Sequence, residues 1–259
     1  MNKIKAVFFD IDGTLVSFKT HRVSEAVCAA IERMRRKGIK CFISSGRHLN
    51  NIDNLGDLQF DGYVTVNGGM TYLGGEMIDS NPIARADVES MLDMIYPENL
   101  MAVSFVLREG LVMNVDNARS DYIFEQLKFK KKPRIVDLRT LGGEEVYQMI
   151  SFFDRQEEPA IMSRLPHCQS ARWSPIFTDV VPKGQSKVRG IDKVCEVMGI
   201  SPEECMAFGD GGNDVEMLRH FGLGVAMGNA DEEVKKEADD VCPSVDEDGI
   251  AWMVEKVGV

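Results

Sequence analysis

Two aspartates, Asp10 and Asp12, stand directly after a short apolar segment near the start of the chain, residues 4–9. The segment is rich in β-branched and aromatic residues and predicts a buried strand, whose rigid end would fix the Asp10 carboxylate. Such a carboxylate can attack phosphorus and form an acyl phosphate that water then cleaves. If the chain turns at Gly13, Asp12 can face the same site, protonate a departing alkoxide and then activate water.

Polar, glycine-bearing loops follow three further apolar segments. These loops are Ser44-Ser45-Gly46-Arg47, Asn67-Gly68-Gly69 and the acidic segment at 209–214. Ligands of open parallel sheets bind beyond the carboxyl ends of the strands, so we expect these loops and Asp10 to converge on one sheet edge. The convergence carries more weight than any single loop, because a lone Asp-x-Asp pair or Ser-Gly-Arg turn is common on protein surfaces.

The acidic loop offers ligands for a metal ion. Asp210, with Asp214 or Asn213, supplies the hard oxygen ligands that Mg²⁺ prefers. The loop lacks the alternating ligands and terminal glutamate of a helix–loop–helix calcium site. A cation here would shield Asp10 from an anionic substrate, so the sequence predicts Mg²⁺ as cofactor.

Neutral and cationic donors for a phosphate group are also present. The Ser45 hydroxyl and the Gly46 amide can donate hydrogen bonds to phosphate oxygens. Lys187 begins a predicted helix and can place its ammonium beside the phosphate. A nucleophile, an acid, a metal loop and phosphate donors together predict a phosphoryl-transfer site.

The elements that must position these residues alternate between strand and helix. Ser24 is typical of a helix N-cap, and the amphipathic segment that follows ends at Gly38. Ile39 to Ile43 predicts a strand, Lys187 to Met198 a helix, and Cys205 to Phe208 another strand. This rhythm predicts an α/β fold with a doubly wound, mostly parallel, Rossmann-like sheet.

The middle of the chain has a different pattern, in which helices and hairpins follow one another. Its predicted helices are Asp87–Ile95 and Ser120–Phe129, and its predicted strands are Val103–Leu107, Leu111–Val115, Val146–Phe153 and Phe177–Val181. This pattern indicates an α+β insert. We therefore predict a core domain of residues 1–82 plus 182–259, with a second domain of residues 83–181 inserted into it.

Composition limits the partners. The chain has 30 Lys and Arg against 41 Asp and Glu, a formal net charge of −11, which disfavours nucleic acid and anionic lipid. The basic run at 128–132 is typical of a solvated helix end. No apolar run approaches the length of a membrane span, and six cysteines without Cys-x-x-Cys spacing or a signal peptide favour a reducing cytoplasm. Nothing implies an obligate protein partner.

Four segments, FFDIDGTL, ISSGR, PKGQSK and FGDGGNDVEML, resemble the four motifs of the haloacid dehalogenase-like (HAD) phosphatases. More narrowly, VNGG at 66–69 and VAMGNA at 225–230 resemble the Cof-type branch, whose large α/β cap lies between the second and third motifs. The resemblance covers essentially the whole chain, with specific motifs in the core and loose ones in the cap. Ser45 stands where threonine is common, which keeps the hydroxyl.

The resemblance implies a role for each polar residue of these motifs, with Asp10 as nucleophile and Asp12 as acid and base. Residues implied to contact the phosphate are Ser45, Gly46, Lys187 and Asn213. Residues implied to hold Mg²⁺ are Asp10, Asp12 through its backbone carbonyl, and Asp210, with Asp214 close behind.

The Cof-type branch acts mostly on small phosphorylated metabolites, which implies a small phosphorylated substrate with hexose phosphates as the favoured class. Arg47, Asn67 and the cap stretch at 170–173 are candidates for contacting the leaving group. We expect the cap to open and close, with hinges near 80–83 and 181–184.

Two alternatives stay open at this point. A phosphomutase on the same scaffold would differ only in the acceptor that takes the phosphoryl group from Asp10. A phospho-accepting signalling receiver also combines clustered aspartates, Mg²⁺ and a lysine. Receivers are about half this length, carry no inserted cap and need a phosphoaspartate that persists.

Overall fold

The structure is a computed structural model and describes residues 4–96, 101–126, 132–172 and 174–259. Contacts divide the chain into two compact units. The first unit comprises Met1–Ser80 and Ser186–Val259, and the second comprises Asn81–Gln185. Three parts of the sequence lie outside the described residues: most of the basic run at 128–132, the end of the helix predicted to reach Phe129, and Trp173.

The strands are numbered here in chain order. They are β1 (Ala6–Phe9), β2 (Lys40–Ser44), β3 (Gly62–Thr65), β4 (Met70–Leu73), β5 (Glu76–Ser80), β6 (Val103–Leu107), β7 (Gly110–Met113), β8 (Arg134–Ile135), β9 (Gln148–Ser151), β10 (Cys168–Ala171), β11 (Thr178–Pro182), β12 (Cys205–Gly209), β13 (Leu223–Ala226) and β14 (Asp240–Val241). The α-helices are α1 (Glu25–Arg36), α2 (Arg85–Ile95), α3 (Ala118–Gln126), α4 (Glu158–Met162), α5 (Lys187–Met198), α6 (Val215–His220), α7 (Glu232–Lys235) and α8 (Gly249–Val257).

Within the described residues, the first unit is built on a sheet with the strand order β14-β13-β12-β1-β2-β3-β4-β5. The strands from β14 to β3 are parallel, and β4 and β5 are antiparallel to their neighbours. The predicted α/β fold with a doubly wound, mostly parallel sheet is confirmed. The strand order reverses between β1 and β12, which is the position where open α/β sheets bind ligands.

The side chains of β1 point alternately to the two faces of the sheet and pack into an apolar layer on each face. Val7 and Phe9 pack with α1 and α8, while Phe8 packs with α5 and α6 on the other face. Helix α1 begins as predicted, because the Ser24 hydroxyl accepts a hydrogen bond from the amide of Val27 at 3.2 Å. Helices on both faces bury β1, so its end cannot shift without repacking both layers.

Helix α5 occupies the predicted residues, and two glycines let it approach the sheet. A Cβ on Gly190 would lie 2.5 Å from Thr71 Oγ1 and 2.7 Å from Val64 Cγ1. Gly68 has a φ of +87°, and a Cβ there would lie 2.1 Å from the carbonyl oxygen of Ser186. The contact at these glycines holds the first residue of α5, Lys187, against the sheet.

We expect Gly190→Ala to destabilise the protein by about 1–3 kcal/mol, because the added methyl group overlaps Val64 and Thr71. Helix propensity alone predicts the opposite sign, a gain of about 1 kcal/mol. Urea unfolding measures the difference. Gly143→Ala is the matched control, since the nearest atom to its Cβ is Arg85 Nη1 at 3.9 Å. A Gly190→Ala variant as stable as this control contradicts the packing constraint.

The second unit contains a sheet with the order β10-β11-β9-β6-β7-β8, antiparallel except for the β7–β8 pair. Helices, strands and a hairpin occur close to where the sequence predicted them. The predicted second hairpin strand, Leu111–Val115, was placed too late: Leu107 pairs with Gly110, so the turn is tighter than predicted. Strand β10 was not predicted.

A helix that could span a membrane is absent from the part of the chain that the structure describes.

Candidate active site

The four predicted polar loops lie at one edge of the first unit's sheet. Asp10 follows β1, and its amide donates a hydrogen bond to the carbonyl of Phe208 in β12 at 3.0 Å. The other loops follow β2, β3 and β12, which run parallel to β1. The convergence predicted from the strand ends is therefore present in the structure.

Lys187 forms the buried centre of this edge. Its ammonium lies 2.6 Å from Asp10 Oδ1 and 2.6 Å from Asp214 Oδ1, and its side chain is 0% exposed. The other oxygen of Asp214 accepts hydrogen bonds from the amides of Asp210 at 3.0 Å and Gly211 at 2.9 Å. Asp214 therefore ties the lysine to the acidic loop, and Lys187 in turn fixes one oxygen of Asp10.

Burial sets the protonation of these groups. It raises the pKa of Asp10 to about 8; the Asp214 carboxylate adds to this shift and the Lys187 ammonium opposes it. Burial also raises the pKa of Asp210 to about 6, with Asp214 adding and the Thr14 hydroxyl opposing. For Lys187, burial acts to lower the pKa, but the pairs with Asp10 and Asp214 raise it above its ordinary value. The site thus holds more acid groups than its one ammonium neutralises.

The cluster fits a divalent cation. Asp10, Asp210 and Asp214 each offer a carboxylate oxygen, and these oxygens lie within 4.8 Å of one another. Three carboxylates against one ammonium leave 3 − 1 = 2 uncompensated negative charges when all are ionised. Oxygen donors of this kind suit Mg²⁺. Asp214 already accepts three hydrogen bonds, which occupy both of its carboxylate oxygens. Its role as a metal ligand stays a prediction.

The Asp12 side chain lies outside this cluster and pairs with Arg47. Arg47 Nε lies 2.8 Å from Asp12 Oδ2 and Arg47 Nη2 lies 2.6 Å from Oδ1, a two-pronged ion pair. Arg47 Nη1 donates to the carbonyl of Asn51 and to Asn54 Oδ1. The structure therefore brings Arg47 to the predicted acid and base residue, whereas the sequence had suggested it for the leaving group.

The remaining predicted phosphate contacts tie three loops together. The Ser45 hydroxyl accepts from the amide of Arg47 at 3.2 Å, and the Ser45 carbonyl accepts from the amide of Asn67 at 3.0 Å. Asn67 Oδ1 accepts a hydrogen bond from Asn213 Nδ2 at 3.0 Å, and a Cβ on Gly46 would lie 3.1 Å from Asn67 Nδ2. Ser45, Gly46, Asn67 and Asn213 are thus adjacent, as the sequence predicted.

The loop after β3 is strained. Val66 has a φ of +52° and Asn67 a φ of +49°, and Val66 is buried. A left-handed conformation is uncommon for a β-branched residue and costs about 1–3 kcal/mol. Such strain is typical of functional sites, and here it sets the direction of Asn67.

Arg172, a candidate for the leaving group, is committed to the second unit. Its guanidinium donates to Glu158 Oε2 at 2.5 Å and to the carbonyls of Phe153, Ser174 and Phe177, and its side chain is 8% exposed. These hydrogen bonds show a structural role inside that unit.

Asn229 received no role from the sequence, although it belongs to the VAMGNA segment and lies in the loop after β13. Its side-chain Nδ2 donates to the carbonyl of Gly13 at 2.8 Å and to Asp210 Oδ2 at 3.2 Å. The rule that ligands gather at the carboxyl ends of parallel strands applies to β13 as well, and it could have pointed to this residue. The Thr14 hydroxyl donates to the other oxygen of the same carboxylate, Asp210 Oδ1, at 3.0 Å.

Comparison with known proteins agrees with this fold. Residues 7–254 match the family model of the haloacid dehalogenase-like hydrolases, and the chain belongs to this family. The chain is 33% identical to "Putative phosphatase YkrA" of Bacillus subtilis, over 98% of each sequence.

Solved structures of similar proteins cover nearly the whole chain. The HAD subclass IIB sugar phosphatase BT4131 is 40% identical, with a TM-score of 0.87 over 98% of this chain and 99% of that one. The phosphatase BT1666 of Bacteroides thetaiotaomicron is 32% identical, with a TM-score of 0.90 over 99% and 96%. Together with the family match, these relatives identify the chain as an enzyme, a hydrolase of the phosphatase type.

Proposed function

We propose that the protein is a magnesium-dependent phosphatase of small phosphorylated metabolites, with hexose phosphates as its favoured substrates and phospho-Asp10 as intermediate. The observation that carries this proposal is the Asp10 carboxylate at the end of the central strand, paired with the buried Lys187 and close to Asp210. The similarity to a protein named as a sugar phosphatase supports the substrate class.

In the first half-reaction, a carboxylate oxygen of Asp10 attacks phosphorus. The new bond joins Asp10 to the phosphoryl group, and the bond from phosphorus to the substrate oxygen breaks with its electron pair on that oxygen. Asp12 gives its proton to the departing alkoxide. Lys187 holds the other Asp10 oxygen, so that the nucleophile cannot rotate away from phosphorus.

In the second half-reaction, Asp12 acts as a base. It takes a proton from water as the water oxygen attacks phosphorus, and the bond from phosphorus to Asp10 breaks. Inorganic phosphate leaves, and the Asp10 carboxylate is restored. Donors from Ser45, Gly46 and Asn213 contact the phosphate oxygens throughout.

Asp10, Asp210 and the backbone carbonyl of Asp12 would hold Mg²⁺. The ion would neutralise the phosphoryl oxygens and the excess negative charge of the aspartate cluster. The closeness of the three carboxylate oxygens supports this assignment, and a bound cation would favour the ionised forms of Asp10 and Asp210.

Arg47 is proposed to aim Asp12 at the leaving group, because the two-pronged pair fixes the plane of the carboxylate. We expect Arg47→Ala to lower kcat more for an alkyl phosphate, whose leaving group needs a proton, than for p-nitrophenyl phosphate, whose leaving group does not. A general acid contributes about 10²–10⁴-fold, which bounds the loss for the alkyl ester. Equal losses on both esters would contradict this role and favour a direct phosphate contact.

The inserted unit, Asn81–Gln185, is proposed to be the cap that selects the substrate, while the first unit carries the phosphate chemistry. All six cysteines are free thiols, which supports action in the reducing cytoplasm. No nucleic acid, membrane or obligate protein partner is proposed.

A screen of phosphorylated metabolites with Mg²⁺ tests the proposal, with release of inorganic phosphate as readout. Hexose, pentose, nucleotide and pyridoxal phosphates cover the chemical classes. We expect turnover of hexose phosphates that excess chelator abolishes and added Mg²⁺ restores. Release without a bisphosphate activator excludes a phosphomutase. Activity that survives the chelator contradicts the metal assignment, and a stable phosphoprotein without turnover supports a signalling receiver.

A further inference from the structure

The amide of Asn229 joins three loops of the first unit. Its Nδ2 donates to the carbonyl of Gly13 at 2.8 Å and to Asp210 Oδ2 at 3.2 Å, and its Oδ1 accepts from the amide of Val245 at 2.8 Å. A carbonyl can only accept and an amide N–H can only donate, so a flipped Asn229 would lose its bonds to Gly13 and Val245. The hydrogen bonds therefore fix the orientation of this amide.

Asn229 bonds to both the loop after β1 and the acidic loop, which lie close together at Gly13 and Asp210. Gly13 has a φ of +83°, and a Cβ there would lie 2.1 Å from Asp210 Oδ2. The Asp210 carboxylate is held from two sides, by the Thr14 hydroxyl on Oδ1 at 3.0 Å and by Asn229 on Oδ2. Each oxygen accepts one of these bonds and keeps a lone pair for a cation.

The loop that carries Asn229 packs against the segment around Ser244. A Cβ on Gly228 would lie 2.7 Å from the amide nitrogen of Ser244, so the glycine lets the loop pack against the segment before the 3-10 turn Val245–Glu247. Asp246 in that turn accepts a hydrogen bond from the Ser17 hydroxyl at 2.6 Å and pairs with Lys19 at 2.6 Å. The turn therefore supports both Asn229 and the chain beyond the loop after β1.

We propose that Asn229 is a positioning residue of the metal site, which fixes the Asp210 carboxylate against the loop after β1 so that Mg²⁺ binds tightly. The inference rests on the proposed function. Hydrogen-bond partners of a metal ligand govern its orientation, and their loss costs about 10–100-fold in metal affinity. Because the Asn229 side chain is exposed, a purely structural role predicts only a small effect of its removal.

Asn229→Ala tests the proposal by calorimetric titration of Mg²⁺ into the protein without substrate. We expect the Mg²⁺ dissociation constant to rise about 10–100-fold. With p-nitrophenyl phosphate, the Mg²⁺ concentration for half-maximal rate should rise in parallel, and saturating Mg²⁺ should restore most of kcat. Gln59→Ala is the matched control, because it truncates another exposed amide side chain of the first unit that lies outside these three loops; its Mg²⁺ affinity should match that of wild type.

An unchanged Mg²⁺ dissociation constant in folded Asn229→Ala overturns the proposal. Thermal unfolding in chelator verifies folding, and Asn229→Ser, whose hydroxyl is too short to reach both partners, replaces the alanine variant if that one does not fold. Failure of the proposed function is separate: a wild type that binds Mg²⁺ yet releases no phosphate refutes the activity, while calorimetry still decides the role of Asn229. A wild type that binds no Mg²⁺ contradicts both.

Discussion

Asp10→Asn is expected to abolish phosphate release, with a loss on the order of 10⁴-fold or more, while the magnesium-free protein becomes more stable at pH 8. The activity is lost because an amide cannot serve as the nucleophile. The fold persists because the amide oxygen can still accept the hydrogen bond from Lys187. Stability increases because the substitution removes one buried negative charge from a cluster of three carboxylates that has only one ammonium.

The gain in stability should depend on pH. The pKa of Asp10 is raised from 3.8 to about 8 in the folded protein, so its stabilising contribution is fully present below the unfolded pKa, near pH 4. That contribution is lost as the pH rises through about 8. The melting temperature of magnesium-free wild type should therefore fall over this range more than that of Asp10→Asn.

Phosphate release in the presence of Mg²⁺ checks the loss of activity, and thermal unfolding in chelator from pH 5 to about 8.5 checks the change in stability. Asp57→Asn is the matched control, since Asp57 is exposed and lies outside the site, and it should behave like wild type. Near-normal phosphate release by Asp10→Asn would refute the nucleophile. A difference in melting temperature that does not grow with pH would refute the assigned charge balance.

Lys187→Met should lose most of its activity and destabilise the fold by about 3–5 kcal/mol. The substitution keeps the length of the side chain but leaves two buried carboxylates, Asp10 and Asp214, without their cation. Adding Asp214→Asn should recover part of the stability and none of the activity, because one uncompensated charge is then removed while Asp10 still lacks its partner.

Urea unfolding and phosphate release measure these effects. Lys193→Met is the control on the same helix, because its pair with Glu196 is exposed and contributes little to the free energy of unfolding. A Lys187→Met variant no less stable than this control would show that the buried ion pairs do not support the fold.

Much of the site could be predicted because its residues follow strands with clear apolar patterns. Asp10 follows β1, and α5 begins at the predicted Lys187. The β4–β5 hairpin, Met70–Leu73 and Glu76–Ser80, was not predicted, although Gly74-Gly75 between its strands is a hairpin signal. Strand β5 lies at the sheet edge, which explains why polar residues are tolerated in it.

Side-chain partners between distant loops could not be predicted. The pair of Arg47 with Asp12 depends on the direction of each side chain, and neither direction follows from spacing along the chain. The sequence predicted that Lys187 lies beside a phosphate. Only the structure shows its ammonium buried between Asp10 and Asp214. Asn229 was missed for the same reason, because its partners come from loops far away in sequence.

Acid-quench mass spectrometry of Asp12→Ala tests the central claim most directly. Without Asp12 as base, the intermediate should be hydrolysed slowly and accumulate after mixing with p-nitrophenyl phosphate and Mg²⁺. The predicted result is one phosphoryl group per chain, located on Asp10 and absent from the Asp10→Asn, Asp12→Ala double variant. Phosphate released by Asp12→Ala with no phosphoryl group on Asp10 at any time, or a phosphoryl group on another residue, would contradict the proposed mechanism.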